Sequence, residues 1–273
     1  MNFLYWNVNG KDVADTVMDA VIQHSIDVLV LSECNFVGSS FIKGLNSQLD
    51  KKLGLVFNTL DDPKILTSLP TELVVPLLDS EGLSIVKFLP PIGPEFLLAA
   101  VHLPSKMFRD PDDQTQVALR LARDIGRIEE DVGHKRTIVL GDFNMNPFDP
   151  GMVGSESLHS VMTKTIASKG SRKVRGEERH FFYNPMWNHF GESHSLPAGS
   201  YYYQSSKEVA YYWHIFDQVL IRPDLLAHFE EDSLQILACI GSASLTNSKN
   251  IPIRTKFSDH LPIKFSLNLV KGI

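Results

Sequence analysis

The chain has 273 residues, 43% of them hydrophobic and 21% charged. That is a globular balance, which excludes disorder, a fibrous repeat and a disulfide-dense scaffold. The formal net charge of −6, from 26 basic and 32 acidic side chains, excludes a uniformly basic nucleic-acid coat but leaves room for a local basic patch. Two cysteines, no apolar run long enough to span a bilayer and an N-terminus without a basic leader point to a cytoplasmic single domain over residues 1–273, with reduced thiols and no membrane partner.

In chain order, short runs of Val, Ile, Leu and aromatics bounded by Gly, Pro, Asp or Asn predict strands near 2–8, 27–32, 53–58, 72–78, 83–88, 96–103, 136–141, 201–205, 211–221, 234–240 and 263–269. Helical spacing of Val13, Val17, Ala20, Val21 and His24 predicts a helix over 11–24. Val117, Leu121, Ile125, Ile128 and Val132 predict another over 112–132, opened by Asp112 and Asp113 after Pro111. Weaker patterns suggest helices at 38–50 and 155–169. Strands in uninterrupted succession imply hairpins, and intervening helices imply layers on sheet faces. Two sheets with helices outside them fit this order better than a doubly wound parallel sheet.

Charge is unevenly spread. Residues 164–179 hold six bases and two acids, a local +4 on a chain that elsewhere carries −10. Lys249, Arg254 and Lys256 form a second basic stretch. Either is a solvated loop or a phosphate-facing rim, and Arg172, Lys173 and Arg175 are the expected substrate contacts in the first. Residues 181–216 are dense in aromatics. Most of these should be core, with the remainder, Trp213 among them, free to stack on bases.

Several predicted strands end in a polar or acidic residue: Asn7, Glu33, His102, and Asp142 with Asn144; Asp217 sits within the run 215–220. Asp259 and His260 precede the last strand. An acid just beyond a buried strand is costly to desolvate, so it sits at a rim or binds a cation. Oxygen donors of this kind suit Mg²⁺ or Mn²⁺ rather than zinc. The ordered motifs Trp6-Asn7-Val8-Asn9-Gly10, Leu31-Ser32-Glu33, Val101-His102, Gly141-Asp142-Phe143-Asn144, Phe216-Asp217-Gln218-Val219-Leu220 and Ser258-Asp259-His260 resemble those of the endonuclease/exonuclease/phosphatase superfamily. The likeness runs through nearly the whole chain. Ser32 departs from the Gln that many members place before the metal-binding Glu. Strand one starts at Asn2, so the chain is expected to be close to a bare catalytic core.

The resemblance implies an α/β four-layer sandwich, two mixed sheets packed face to face with helices outside and one active site at the top of the two sheets. It also implies hydrolysis of a phosphate ester by in-line attack of water, with Mg²⁺ or Mn²⁺ as cofactor. It implies Glu33 as chief metal ligand, with Asn7 and Asp259 nearby. Asp142 would orient or deprotonate the water, and Asn144 would hold the water or a phosphate oxygen. His260, held by Asp217, would donate to the phosphoryl oxygens. His102, where other members carry Tyr, would contact the phosphate or protonate the leaving oxygen. The expected substrate is nucleic acid, DNA ahead of RNA. A small-molecule or lipid head-group phosphate is the alternative. A catalytically dead binding module is disfavoured because every assignable catalytic position holds competent chemistry.

Overall fold

The computed structural model describes residues 1–56, 62–105, 111–191 and 197–271. Its strands are β1 (Asn2–Asn7), β2 (Val28–Ser32), β3 (Gly54–Leu55), β4 (Lys64–Thr67), β5 (Val74–Ser80), β6 (Leu83–Phe88), β7 (Phe96–His102), β8 (Thr137–Asp142), β9 (Ser160–Val161), β10 (Ser171–Val174), β11 (Glu177–His180), β12 (Phe182–Tyr183), β13 (Tyr201–Tyr202), β14 (Trp213–His214), β15 (Asp217–Ile221), β16 (Phe229–Ile236), β17 (Cys239–Ile240), β18 (Ala243–Ser244) and β19 (Ile263–Leu267). The helices are α1 (Ala14–Gln23), α2 (Ser39–Ser47), α3 (Pro111–Val132), α4 (Pro150–Val153) and α5 (Lys164–Ala167).

Two large mixed sheets form the body, with strand orders β16-β19-β1-β2-β4-β3 and β5-β6-β7-β8-β15-β12-β9. Alternation along each strand divides the side chains between two cores. Leu98 and Ala100 of β7, Ile138 and Leu140 of β8, and Val219 and Ile221 of β15 pack between the sheets against residues of β1 and β2. Their neighbours Leu97, Ala99, Val101, Val139 and Leu220 face outward and are covered by Leu121, Ile125 and Ile128 of α3. Val17, Ala20 and Val21 of α1 and Phe41 and Leu45 of α2 join the core that includes β1 and β2. The chain is thus a four-layer α/β sandwich.

Departures from the sequence reading are local. Of the expected helix at 155–169 only the single turn α5 forms, because Ser160 and Val161 pair with Phe182 and Tyr183 at a sheet edge. The expected strand at 211–221 is two strands, β14 and β15. At 201–205 only Tyr201 and Tyr202 are strand. The strand expected at 234–240 starts earlier, at Phe229, running through Glu230–Asp232 with a register shift between Glu230 and Gln235. β4 and the β10–β11 hairpin carry too little apolar alternation to have been foreseen. Residues 57–58 of the expected strand at 53–58 lie outside the described residues. Among the described residues no helix is long and apolar enough to cross a membrane, and Cys34 and Cys239 are both free thiols.

Candidate active site

The register of the two sheets assembles the site. β1 and β2 run parallel with Asn7 opposite Ser32, which brings Asn7 and Glu33 to one end of the first sheet. In the second, His102 of β7 lies opposite Asp142 of β8, and Asp142 lies opposite Asp217 of β15. Adjacent ends of three strands, the last residues of β7 and β8 and the first of β15, therefore carry His, Asp and Asp on one line. Gly141 permits this spacing: its φ is +155°, and a Cβ there would lie 1.8 Å from the Val101 carbonyl oxygen, so only glycine fits. Glu33 and Asn144 adopt the left-handed conformation, with φ of 52° and 49°. Each turns the chain sharply at the strand end while its side chain stays in the cluster.

Asp142 is buried and held by three donors. Its Oδ1 accepts the Asn144 backbone N–H at 2.8 Å; its Oδ2 accepts Asn7 Nδ2 at 3.1 Å and Asn144 Nδ2 at 3.3 Å. Burial pushes its carboxyl pKa up, against the opposing pull of His260. His260 Nδ1 lies 3.0 and 2.9 Å from the two Asp217 oxygens, and its Nε2 lies 3.8 Å from Asp142 Oδ2. Burial works against the charge on His260, but Asp217 and Asp142 outweigh it and raise the pKa to about 9. The Ser258 hydroxyl donates to the Asn7 carbonyl at 2.6 Å and accepts the His260 N–H at 3.0 Å. Trp6 Nε1 donates to the His260 carbonyl at 2.9 Å.

His102 sits between two carboxylates. Its Nδ1 is 2.6 Å from Asp62 Oδ2 and its Nε2 is 3.5 Å from Glu33 Oε1. Burial again opposes protonation, yet the two acids push the pKa up to about 10. His102 in turn holds the Glu33 carboxyl below its ordinary value, assisted by Asn7 Nδ2 at 3.1 Å. Asp259 is tied in through Asn9, whose Nδ2 donates to Oδ1 at 2.7 Å.

Glu33, Asp62, Asp142, Asp217 and Asp259 thus share one cluster with His102 and His260. Even with both imidazoles charged the cluster is short of positive charge, and its donors are hard oxygens. A divalent cation such as Mg²⁺ fits this set. Asp142, Asp217 and His260 by themselves also offer three ligand atoms within 4.8 Å of one another. Within that set His260 Nδ1 is engaged by Asp217.

Eight of the residues singled out in the sequence meet here: Asn7, Glu33, His102, Asp142, Asn144, Asp217, Asp259 and His260. Trp213 is carried close by, in the β13–β14 hairpin, but its ring packs edge-on to Tyr202 at 5.3 Å and against the core. Arg172, Lys173 and Arg175 are not brought to the site, contrary to expectation. Their hairpin, β10–β11, has its base at Ser171 and His180. That base adjoins Phe181, whose carbonyl accepts from Arg222, and Arg222 pairs with the Thr137 end of β8. Asp142 is at the other end of that strand, about 17 Å away. Arg172 there donates to His159 Nε2 at 2.9 Å. Asp62, Asn9 and Ser258 were missed as site residues. Asn9 and Ser258 lie inside recognised motifs, whereas Asp62 has no sequence signal beyond an acid before a proline.

The chain matches the model of the Endonuclease/Exonuclease/phosphatase family over residues 4–260. No curated protein matches it in sequence. Among solved structures, D. rerio TDP2 complexed with a single-strand DNA product superposes with a TM-score of 0.56 at 15% identity, covering 98% of each chain. An AP endonuclease from Archaeoglobus fulgidus gives 0.56 at 14%, covering 98% of this chain and 99% of that one. The human Nocturnin catalytic domain with bound sulfate gives 0.52 at 13%, covering 98% and 93%. Fold, motif order and the convergence of these side chains agree: the chain belongs to the endonuclease/exonuclease/phosphatase family, whose members are generally divalent-metal-dependent hydrolases of phosphoester bonds.

Proposed function

We propose that this protein is a Mg²⁺-dependent phosphodiesterase, Mn²⁺ being the substitute ion, that hydrolyses nucleic-acid phosphodiester bonds, DNA ahead of RNA. The observation carrying the reading is the pairing of a buried, three-donor-held carboxylate, Asp142, with two imidazoles kept charged by their own acids, His260 by Asp217 and His102 by Asp62 and Glu33. Glu33, Asn7 and Asp259 would hold the cation, which when bound supplies positive charge to the phosphoryl oxygens and the leaving oxygen.

Asp142 is fixed in place to orient a water and take its proton, and burial makes it a stronger base than an exposed carboxylate. Asn144, with Nδ2 donating to the Leu103 carbonyl at 2.8 Å, keeps the side-chain geometry around that water rigid. The water oxygen bonds to phosphorus as the opposite P–O ester bond breaks. His260 donates to a phosphoryl oxygen as negative charge builds, and Asp217 fixes its tautomer. His102, protonated at neutral pH, gives its proton to the leaving alkoxide. The products are a phosphomonoester and an alcohol.

Nucleic acid is supported by exposed aromatics on the segment that follows Tyr201, whose ring lies 4.6 Å from His260. Tyr203, Tyr211 and Tyr212 are each about half exposed, and unpaired bases stack on such rings. Two proteins that share the fold agree with it: D. rerio TDP2, solved with a single-strand DNA product, and the A. fulgidus AP endonuclease. A cytoplasmic location is supported by the two unpaired thiols. The small-phosphoester reading has one observation in its favour: a cavity of about 780 Å³ opens beside His102, between Ser80–Leu83 and α3, with room for a compact leaving group. The test is a substrate panel with Mg²⁺ or with EDTA: single-stranded and duplex DNA, RNA and a chromogenic phosphodiester. Metal-dependent cleavage of an oligonucleotide, lost in Asp142→Asn, supports the reading. Hydrolysis of the small diester alone moves the alternative ahead.

A further inference from the structure

The hairpin of β13 and β14 leans on the catalytic end. Tyr201 forms a β-bridge to His260, and its ring lies 4.6 Å from the imidazole. The ladder continues one residue further, with the Tyr203 N–H donating to the Tyr212 carbonyl at 2.8 Å. Residues two apart share a face of a strand, so Tyr203 extends the Tyr201 face by about 7 Å. An extended single strand covers about that distance in one nucleotide. Beside Tyr203 is a cavity of about 390 Å³, lined by Tyr203, Gln204, Ser205, Ser206 and Arg254.

Two features of the cavity point to its occupant. The Tyr203 ring is 51% exposed. Among the described residues the Tyr203 ring makes no aromatic contact and the Arg254 guanidinium no ion pair with an acid, while both lie near enough to the Tyr201 hydroxyl to act on it electrostatically. A bare aromatic face and an unpaired cation facing one cleft match a base and its phosphate. Arg254 also belongs to the stretch 247–258, which holds Lys249 and Lys256 and no acid. The β10–β11 hairpin, the other basic segment, is at the far end of the sheet, so the cations on this side are the ones a strand leaving the site would meet.

We infer that the Tyr203–Arg254 cleft is the subsite for the nucleotide next to the scissile phosphate, its base stacked on Tyr203 and its phosphate on Arg254. The inference rests on the nucleic-acid reading and narrows it: the flanking base must be unpaired, so the substrate is single-stranded at that position.

The test is binding and cleavage of a fluorescein-labelled ten-residue oligothymidylate by the full chain. Anisotropy is read over a salt series in the Asp142→Asn background, and kcat/KM in the active protein with Mg²⁺. Tyr203→Ala should weaken binding about 10-fold, and Tyr203→Phe should restore it, because the ring and not the hydroxyl does the stacking. Arg254→Gln should flatten the slope of log affinity against log salt by about 0.7, the share of one phosphate contact on a single strand. Lys173→Gln, on the remote hairpin, is the control. If the oligonucleotide is cut but Tyr203→Ala and Arg254→Gln bind with unchanged affinity and salt slope, the subsite is wrong and the nucleic-acid reading stands. If the wild-type chain turns over the chromogenic diester yet neither binds nor cuts the oligonucleotide, the nucleic-acid reading fails and the subsite with it. Tyr203 and Arg254 are both exposed, so melting curves matching wild type are expected for every variant.

Discussion

Asp217→Asn is the most informative single perturbation of the catalytic cluster. The substitution keeps the size of the side chain and one acceptor oxygen but removes its charge. In the native site both carboxylate oxygens lie within 3.0 Å of His260 Nδ1. The His260 pKa stands at about 9 instead of 6.5, which at about 1.4 kcal/mol per unit favours the imidazolium by about 3 kcal/mol. Asp217 is the foremost of the groups that raise it, ahead of Asp142, so most of that preference should vanish in the variant. Turnover of a chromogenic phosphodiester with Mg²⁺ should fall by about 10²-fold or more, because the charge opposing the phosphoryl oxygens and the fixed tautomer go together. Histidine NMR on the metal-free protein gives an independent reading: the His260 titration should move down toward neutral pH. The same linkage sets a stability profile. A raised folded-state pKa contributes stability in full below the ordinary value of 6.5 and loses it as pH rises through about 9. Metal-free wild-type protein should therefore lose melting temperature between pH 6.5 and 9.5, by several degrees more than Asp217→Asn does. Turnover within roughly threefold of wild type, together with an unmoved His260 titration, would refute the assignment of Asp217 as the group that holds and charges His260.

Other outcomes follow from the same geometry. Glu33→Gln should weaken Mg²⁺ binding in calorimetry while leaving the melting temperature of the metal-free protein near wild type, since Glu33 is at an exposed rim. Asp142→Asn and His260→Ala should each cut kcat by about 10²-fold or more, and the double variant should fall well short of the product of the two losses, as both serve one transition state. Glu129→Ala should cost about 3–5 kcal/mol in denaturant unfolding: Glu129 is buried, accepts Arg222 Nε and Nη2 at 2.8 and 3.0 Å, and takes the Thr137 hydroxyl at 2.6 Å. Gly141→Ala should destabilise by about 3 kcal/mol or more, because its methyl would overlap the Val101 carbonyl; a melting temperature unchanged from wild type would mean that β7 and β8 are not packed as described.

The sequence by itself determined the layer architecture and most of the side chains that converge in the candidate site. Continuous apolar runs such as 96–101 and 137–141 fix strands whose two faces must both be buried, and the 3.6-residue stripe of α3 supplies the cover for one of them. Acids and imidazoles at the ends of those runs are legible because burial tolerates them only at a rim. Tertiary structure alone decided which polar residues act together and which cations stand near them. His102 meets Asp62 through a contact 40 residues apart, and His260 meets Asp217 across 43. No local pattern encodes such pairs, since they depend on strand register and on loops folding back. The basic segment 164–179 illustrates the limit most directly. Its charge is plain in the sequence and was expected beside the substrate, but β12 joins the second sheet next to the far end of β15 and carries the preceding hairpin with it. Composition gives the magnitude of a local charge, whereas the pole of the molecule at which that charge acts is set by which strand end the sheet leaves it on.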